Sequence, residues 1–425
     1  MTDKATPMRR LAAVALSVAA MTRPAQSSAG TAAEEPMPGQ ESTPATPTAA
    51  TPTAAPPAGW TVEYGDKGLE IASPDRSWSF EPEFQVQLRF SDPFDDDPRT
   101  VADVDSPPGS DFEIRRARFK LDAQLGAEWL TLYSQTDLDD PVQLDLQVTI
   151  EPDEAFGVRL GQWKAEYNRE RRDSSASQQF VDRSIVNREF TIDRQQGAML
   201  FGRLRRGGTA DVSAWAGVFG GEGRGHFNDG GEPMYLARFQ WNPNGRVLDF
   251  SQSDVGRRAE PASSIAVAAV RNRSRYTRFS SDGGGNLDGF VTGEIDQYEV
   301  EQWVVESAFQ WRGFSWQQEW HEKSVEDRVA GATTRLRGLY AQAGYFLHEA
   351  WSGWPEPLEL ALRYATIDPD VDHTDDRRDE MTFGANWYFN GHRHKLNTDV
   401  SRLEVDDPDG AAHDWRVRLQ WDVSF

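Results

Sequence analysis

Three basic residues at alternate positions form the most suggestive chemical pattern in the sequence: Arg116, Arg118 and Lys120. In an extended strand, alternate side chains point to the same face, so these three would form a row of positive charges. A guanidinium offers a planar fork of donors that matches phosphate oxygens, and an ammonium acts as a point charge. The row therefore predicts an electrostatic path for anions, provided that its face borders water.

The neighbouring residues indicate which element carries this row. Ala117, Phe119 and Leu121 fill the intervening positions, so one face of the strand would be apolar and the other basic. The same alternation ends the chain, where the apolar set is Trp415, Val417, Leu419, Trp421, Val423 and Phe425. A half-buried strand of a soluble protein gives the same pattern, but runs of about ten residues match the length of a tilted membrane-crossing strand.

Counting such segments predicts sixteen strands. Their expected starts are residues 80, 112, 129, 142, 155, 196, 210, 233, 263, 297, 313, 334, 357, 379, 394 and 414. Long connections fall mostly on one side, including 166–195, 325–333 and 404–413, and tight turns on the other, with 138–141 and 244–262 as exceptions. We expect an all-β fold, a transmembrane antiparallel β-barrel with a polar inner face, because sixteen strands leave an aqueous lumen.

Composition supports a β-barrel over other classes of protein. The chain of 425 residues has no Cys, which excludes disulfides, thiolate metal sites and cysteine nucleophiles. Its net charge of −23 disfavours a nucleic-acid partner. The mean hydropathy is −0.66, and the sequence has no apolar run of about 20 residues that could form a membrane helix. Trp is abundant, at 15 residues, and Trp concentrates at membrane interfaces.

The first 58 residues indicate export rather than fold. Residues 1–29 combine a basic start, the apolar stretch from Leu11 to Met21 and small residues near Ser27, which is typical of a cleaved signal peptide. Residues 30–58 are rich in Ala, Pro and Thr and predict a disordered linker. The barrel domain is expected over 59–425.

Several motifs carry no catalytic or cofactor chemistry. The glycine-rich stretch at 221–225 opens no helix, and the stretch at 282–289 lacks the ligands of a calcium loop. His392 and His394 at a tight turn do not make a metal site, and no nucleophile elbow is present. We expect no enzyme, no cofactor and no metal.

A family resemblance rests on five stretches of sequence. They are Asp111–Arg118, Val158–Lys164, the segment from Ser174 through Phe180 to Ser184, and two later stretches at 342–346 and 383–388. These resemble the phosphate-selective porin O and P family of bacterial outer-membrane proteins, over roughly residues 77–425. The resemblance implies a trimeric barrel of 16 strands, a third loop that folds into the lumen, and luminal basic residues that attract anions such as phosphate.

The candidate anion-binding residues follow from the row and from this resemblance: Arg115, Arg116, Arg118, Lys120, Arg159, Lys164 and Arg183. Loop 166–195 holds further arginines, which would reach a constriction if the loop folds inward: Arg169, Arg171, Arg172, Arg188 and Arg194. Alternation places Arg115 in the outward set, near the rim or at a twist. The alternative is that each basic residue simply pairs with a neighbouring Asp or Glu.

Two acidic loops oppose a simple anion channel. One holds Asp92, Asp95, Asp96, Asp97, Asp103 and Asp105, and the other holds Asp368, Asp370, Asp372, Asp375, Asp376 and Asp379. We expect an outer-membrane porin for small hydrophilic solutes, anions first. The alternatives are a structural or surface-interaction barrel without conductance, and a soluble exported β-protein or barrel enzyme. Expected partners are outer-membrane lipid, lipopolysaccharide, the barrel assembly machinery through Phe425, and two further copies in a homotrimer.

Overall fold

A computed structural model describes residues 59–65, 68–228, 230–280, 284–408 and 410–425. The predicted signal peptide (1–29) and linker (30–58) lie outside these residues. The described chain forms one antiparallel sheet of 18 strands, of which sixteen, β3 to β18, close into a barrel. Closure occurs where β18 pairs with β3, from Val417 opposite Asp92 to Ser424 opposite Gln85. The all-β barrel is therefore confirmed.

The strands begin within four residues of their predicted starts. A hairpin of β1 (Thr61–Gly65) and β2 (Gly68–Ala72) precedes the barrel and was not predicted. The barrel strands are β3 (Trp78–Asp92), β4 (Asp111–Leu125), β5 (Leu130–Asp137), β6 (Val142–Asp153), β7 (Phe156–Lys164), β8 (Arg194–Arg205), β9 (Asp211–Phe219), β10 (Met234–Asn242), β11 (Ala262–Ser274), β12 (Tyr298–Trp311), β13 (Phe314–Asp327), β14 (Ala332–Tyr345), β15 (Leu358–Asp368), β16 (Arg378–Asn390), β17 (His394–Asp407) and β18 (Gly410–Ser424).

Helical structure in the described residues is confined to short turns in the connections. Three are α-helical, Val101–Asp105, Arg169–Arg172 and Val186–Phe190. Three are 3₁₀ turns, Ser175–Ser177, Gly208–Ala210 and Leu347–Glu349. Of the helices that the structure describes, none is long and apolar enough to cross a membrane.

The strands reverse the burial pattern of a soluble protein. On β18, Trp415 and Trp421 are 57% and 46% exposed, whereas Arg416 and Asp422 are fully buried. Apolar side chains face outward and polar ones inward because the outer surface meets lipid and the inner surface meets water or other polar groups. The alternation predicted for this strand is confirmed, with the polar set facing inward.

Tight turns join the strands at one end of the barrel. Arg312 and Gly313 form the two-residue turn between β12 and β13 with φ of 47° and 76°. Two consecutive positive φ angles define the hairpin turn whose twist matches that of the strands, and Gly adopts the second without strain. Both predicted exceptions to the rule that long connections lie at one end and tight turns at the other are confirmed. The connection at 138–141 is short, and the one at 243–261 is long.

Two long connections were overpredicted. Residues 325–333 and 404–413 are mostly strand, and the actual connections are 328–331 and 408–409. The cause is visible on the outward face near this end, where Glu322 and Arg337 replace apolar residues. A strand that has left the membrane no longer needs an apolar outward face, so the expected alternation disappears although its backbone pairing continues.

The inner face is less polar than predicted. An apolar cluster lies along the inner face of the wall from β7 to β17, and Val300, Val304 and Tyr340 are among its fully buried strand members. Val186 and Phe190, from the connection between β7 and β8, belong to the same cluster. The inner face therefore combines polar and apolar regions.

Candidate functional site

The connection between β7 and β8, residues 165–193, is the most buried connection in the described chain, and we call it the β7–β8 segment. It is built from one-turn pieces because its polar residues cap each other locally. The Ser174 hydroxyl accepts a hydrogen bond from the Ala176 amide at 3.3 Å, and the Thr191 hydroxyl donates to the Asn187 carbonyl at 2.6 Å. Such local bonds favour turns over continuous helix.

Inward-facing polar side chains of widely separated strands hold this segment by its backbone carbonyls. Gln87 of β3 donates to the Ser175 carbonyl at 3.1 Å, and Arg363 of β15 donates to that of Asp182 at 2.8 Å. Further donors are Gln302 of β12, Lys323 of β13 and Asn386 of β16. A buried carbonyl without a partner would be costly, so these donors stabilise an irregular backbone.

Carboxylates of the same strands bind the amides of the segment. Glu306 accepts from the Arg169 amide at 2.8 Å, and Glu319 accepts from the Glu170 amide at 2.6 Å. Asp399 accepts from the Val181 amide at 2.9 Å. Burial raises the pKa of the Glu170 side chain, and the nearby Glu319 carboxylate raises it further. Donors and acceptors on the wall therefore match both halves of the peptide groups.

Inward-facing glycines make room for the larger side chains of the segment. A Cβ on Gly338 of β14 would lie 2.5 Å from Cε2 of Phe190. A Cβ on Gly344 would lie within 3 Å of the side-chain amide group of Gln179. A Cβ on Gly384 of β16 would lie 3.1 Å from Cε1 of Phe180. These three positions have no positive φ, so the close approach, not the backbone, requires glycine there.

Arg115 and Arg116 lie at a β-bulge. The register of β3 and β4 shifts between Gln87 and Leu88, which leaves Arg115 outside the ladder of paired residues. A bulge re-aims a side chain, and Nη2 of Arg115 lies 3.8 Å from Oδ2 of Asp182, an atom 4.0 Å from Nη2 of Arg116. Arg115 thus joins Arg116, instead of the outward-facing set that alternation predicted for it.

Asp182 of the β7–β8 segment is the centre of this basic cluster. Nη1 of Arg89 lies 2.9 Å from its Oδ2, closer than either residue of the bulge. Burial opposes ionisation of Asp182, but the charges of Arg89, Arg116 and Arg115 outweigh it and hold its pKa well below the usual range. The carboxylate therefore stays charged and neutralises part of the cluster.

Arg118 and Lys120 continue the row along β4, and each has an acidic partner. Nε of Arg118 lies 3.3 Å from Asp137, and Nζ of Lys120 lies 2.7 Å from Glu83. Both basic side chains are 13% exposed. They therefore keep some contact with solvent while sharing their charge with a neighbour.

The remaining predicted residues flank the β7–β8 segment. Arg159 pairs with Glu166. Lys164 donates to the Asp173 carbonyl at 3.3 Å, and Arg183 donates to the carbonyls of Glu170 and Asp173. Among the described residues, no carboxylate lies within 4 Å of the charged groups of Lys164 or Arg183. Burial and the neighbouring Arg171 lower the pKa of Arg183 to about 10, where it remains cationic at neutral pH.

Sequence reasoning missed several buried arginines that face the same interior, among them Arg89, Arg363, Arg416 and Arg418. All lie at inward positions of their strands and carry ion pairs, for example Arg418 with Asp399 at 3.1 Å. Their polar-face positions were visible in the sequence. The sequence did not show that these side chains share one interior, because β3, β15 and β18 enclose it only when the sheet closes.

A cavity of about 930 Å³ lies beside the basic cluster, at the end of the long connections. Eight arginines and six aspartates line it, including Arg115, Arg116, Arg183 and Asp182. Asp95 and Asp97, predicted as part of an acidic mouth, instead pair with Arg89 at 3.0 Å and Arg416 at 2.9 Å. The lining therefore carries an excess of positive charge despite the acidic chain.

A second cavity at the same end is acidic. Its volume is about 1240 Å³, and its lining holds ten carboxylates against two arginines. Asp370, Asp372, Asp375 and Asp376 come from the predicted acidic loop. The negative charge of the mouth is therefore concentrated beside the basic cavity rather than spread over it.

One protein-family model matches most of the chain. The family model described as phosphate-selective porin O and P matches residues 84–421. The chain belongs to this family. It is therefore an outer-membrane porin of a bacterium, a channel rather than an enzyme. None of the curated proteins matches the chain.

Solved porin structures share the fold at low sequence identity. A loop L8 deletion mutant of OmpT, an outer membrane protein of Vibrio cholerae, is 10% identical with a TM-score of 0.54, covering 82% of this chain and 100% of that one. The outer membrane channel DcaP of Acinetobacter baumannii is 11% identical with a TM-score of 0.51, covering 82% and 98%. OprB of Pseudomonas putida is 10% identical with a TM-score of 0.51, covering 83% and 95%.

Proposed function

We propose that this porin conducts small anions, phosphate among them, past the basic residues of β3, β4 and the β7–β8 segment. The observation that carries the proposal is that no carboxylate lies within 4 Å of the charged groups of Lys164 and Arg183 among the described residues, and that both donate to backbone carbonyls instead. The guanidinium of Arg183 stays charged at neutral pH, so without a carboxylate partner its charge can act on a passing ion. Arg115, Arg116, Arg118, Lys120 and Arg159 supply the approach.

We propose that the β7–β8 segment is the in-folded third loop and narrows the lumen. Its hydrogen bonds with inward-facing side chains from β3 to β17 support this reading, as do the glycines that accommodate Phe190, Gln179 and Phe180. The segment then places Arg171, Arg183 and Asp182 across the path of a solute. A constriction lined by both signs would slow ions of either charge and favour anions through its excess of arginine.

We also propose a homotrimer that buries the outward face of β5 and β6. β5 has 8 residues, fewer than the 9–11 that a tilted strand needs to cross a bilayer. The outward side chains here include Ser134, Thr136 and Gln143, which hydrogen-bond with one another. Lipid tails offer polar groups no partner, so a protein neighbour suits this face better. Cross-linking in isolated membranes, resolved by size, would read the copy number.

We also propose roles for the N-terminal residues, for the outward-facing charges and for Phe425. Residues 1–29 would direct export and be removed, 30–58 would link, and mass spectrometry of the mature N-terminus would locate the cut. The outward-facing charges near the long connections, such as Arg271 with Glu299 and Arg335 with Asp372, would contact lipopolysaccharide. Phe425 would present the terminal strand to the assembly machinery.

The test is single-channel recording in a planar bilayer under a KCl gradient, followed by addition of phosphate. We expect a reversal potential of the sign for chloride, and a current reduced by phosphate. Lys164→Gln and Arg183→Gln should move the reversal potential toward the cation side. Arg335→Gln, which removes the same charge from an outward residue with a 62% exposed side chain, should not. A cation-selective wild type would contradict the proposal, and a silent, folded barrel would favour a structural role.

A further inference from the structure

The connection between β10 and β11, residues 243–261, is long at the end of the barrel where most turns are tight, and we call it the β10–β11 segment. It is not a solvent-exposed loop throughout. Leu248, Gln252, Ser253 and Asp254 are each less than 5% exposed. A connection with buried polar residues needs partners for them, and these partners show where the segment runs.

The segment crosses to strands far from its own ends. Ser253 donates to Glu359 of β15 at 2.9 Å and accepts from the hydroxyl of Tyr388 of β16 at 2.8 Å. Ser251 lies 3.1 Å from Nε2 of His392, in the turn after β16. Glu359 is an inward-facing residue. The segment therefore lies against the inner wall five and six strands away from β10.

On the way it is fixed at the turn between β12 and β13. Asp254 accepts from the Gly313 amide at 2.7 Å, and Gln310 donates to the Ser251 carbonyl at 2.9 Å. The guanidinium of Arg257 stacks over the Phe346 ring, 3.4 Å from its centroid. These contacts stabilise a single path for the backbone across this part of the barrel end.

The two internal segments meet each other. Oε1 of Gln252 accepts from the backbone N–H of Gln179 at 2.8 Å and from the side-chain amide of Gln342 at 3.2 Å. This one oxygen therefore links the β10–β11 segment both to the β7–β8 segment and to β14. Phe250 lies 5.2 Å and 5.3 Å from the guanidinium carbons of Arg169 and Arg172, within cation–π range. The β10–β11 segment thus supports the segment that we propose as the constriction.

Exposure varies around the inner wall: Gln87 of β3 and Gln135 of β5 are buried, but several side chains of β4 and its neighbours are not. Gln310, Gln317, Gln342 and Glu359 face inward on β12 to β15 and are at most 3% exposed. The side chain of Lys120 on β4 is 13% exposed, and that of Glu83, its partner on β3, is 33% exposed. Polar residues that line a solute path should keep contact with water.

We infer that the β10–β11 segment is a second constricting element, which joins the β7–β8 segment to close the lumen along β12 to β16 and confines solutes to the wall of β4 and β5. The inference rests on the proposed channel function and specifies its path. It makes the row of Arg118 and Lys120 the wall of the pore, and it makes the inward-facing residues of β12 to β16 structural. The segment itself would set the size of the opening at this end.

Accessibility of single cysteines tests this inference, because the chain has no native Cys. Thr131 and Ser315 are a matched pair, since each is a hydroxyl residue that faces inward from the second position of a strand after a tight turn. Thr131 is partly exposed and Ser315 is 1% exposed. A negatively charged methanethiosulfonate should reduce the current of Thr131→Cys and react with Ser315→Cys at least about tenfold more slowly, because a buried thiol needs local opening.

Excision of the segment supplies a second reading. Replacement of residues 245–260 by Asn-Gly, a favoured two-residue turn, should raise single-channel conductance and make Ser315→Cys reactive. Heat-modifiable gel mobility would verify that this variant folds, and the two full-length cysteine variants decide the question if it does not. Equal reactivity of the two thiols in the full-length channel would overturn the inference. If wild type passes no current, the proposed function fails, but mass spectrometry of the labelled thiols in proteoliposomes still shows which wall is open.

Discussion

Lys120 and Glu83 face each other directly across β4 and β3, with Nζ of Lys120 2.7 Å from Oε1 of Glu83. The pair combines a predicted site residue with an acidic residue that cancels it. Both side chains keep some exposure, so each charge acts on ions in the lumen as well as on its partner. The pair therefore offers a local way to change selectivity without changing the fold.

Neutralising either member should change selectivity in opposite directions. Glu83→Gln leaves Lys120 uncancelled and should increase the ratio of chloride to potassium permeability, and Lys120→Gln should decrease it. One unit charge about 6 Å from an ion in water contributes roughly 0.7 kcal/mol, so we expect a change of about threefold in each direction. Reversal potentials under a KCl gradient measure the ratio. A shift of the same sign in both variants would contradict this expectation.

Asp182 should limit anion binding at the basic cluster. Asp182→Asn removes the carboxylate that Arg89, Arg115 and Arg116 share, so block of the current by phosphate should occur at lower concentration. Leaving a buried arginine unpaired should also lower stability, by about 3 kcal/mol. The heat-modification temperature on gels reports the second effect. The control, Asp372→Asn, removes a carboxylate from an exposed pair and should change stability by less than about 1 kcal/mol.

The sequence predicted the barrel well because its outward face obeys one simple constraint. Lipid requires apolar side chains at every second position, and Trp415 to Phe425 show this period directly. The same reasoning fails where the constraint ends. Beyond the membrane the outward face of β13 and β14 is polar, so the strands continue through residues that looked like a loop.

The site was predictable only in part. Alternation gave Arg116, Arg118 and Lys120 their inward positions, but it could not reveal the bulge that re-aims Arg115. A bulge depends on pairing with β3, which a single strand does not encode. The acidic partners were equally hidden, because Asp182 and Arg89 are 93 residues apart. The charge balance of a lumen is a property of the closed sheet.

Gly338 should be needed to seat the β7–β8 segment. In Gly338→Val the added carbons would occupy the position of the Phe190 ring, because even a Cβ would lie 2.5 Å from Cε2 of Phe190. Overpacking of this kind costs about 1–3 kcal/mol, and displacement of the segment should make the conductance larger and less steady. Single-channel recordings and heat modification measure both effects. Ala341→Val adds bulk to an outward residue of the same strand, and unsteady currents in that variant would argue against the role of Gly338.

Asp173 should make selectivity depend on pH. Burial raises the pKa of this carboxyl to about 6, against the opposing charges of Arg169 and Arg183 and with the support of Glu319. Acidification from pH 7 to 5 therefore removes a negative charge from the β7–β8 segment, and anion selectivity should increase. Because the pKa is raised in the folded state, the stability contribution is full below pH 4 and is lost as pH rises through 6. Reversal potentials measured in steps of pH should show the change in wild type.

The control for this titration is Asp173→Asn, which fixes the neutral state. Its selectivity should match that of the wild type at pH 5 and should not change between pH 5 and 7. A change of equal size in the variant would assign the pH dependence to other groups.

Phe425 should matter more for assembly than for conduction. Its backbone exchanges hydrogen bonds with Phe84 at 2.9 and 3.0 Å, and the two rings lie 5.9 Å apart where the barrel closes. Phe425→Ala keeps the backbone pairing and removes one outward-facing ring, so the barrel refolded in detergent should conduct as wild type does. In cells, the amount of folded barrel should fall if the assembly machinery reads this strand as we propose, because Phe425 would be missing from it. Phe389→Ala removes another outward-facing ring, 55% exposed and at the end of β16, and should leave the yield in cells unchanged. Equal yields of the two variants in cells would argue against a special role for the terminal residue, and loss of conductance by the refolded Phe425→Ala barrel would assign the ring to the channel itself.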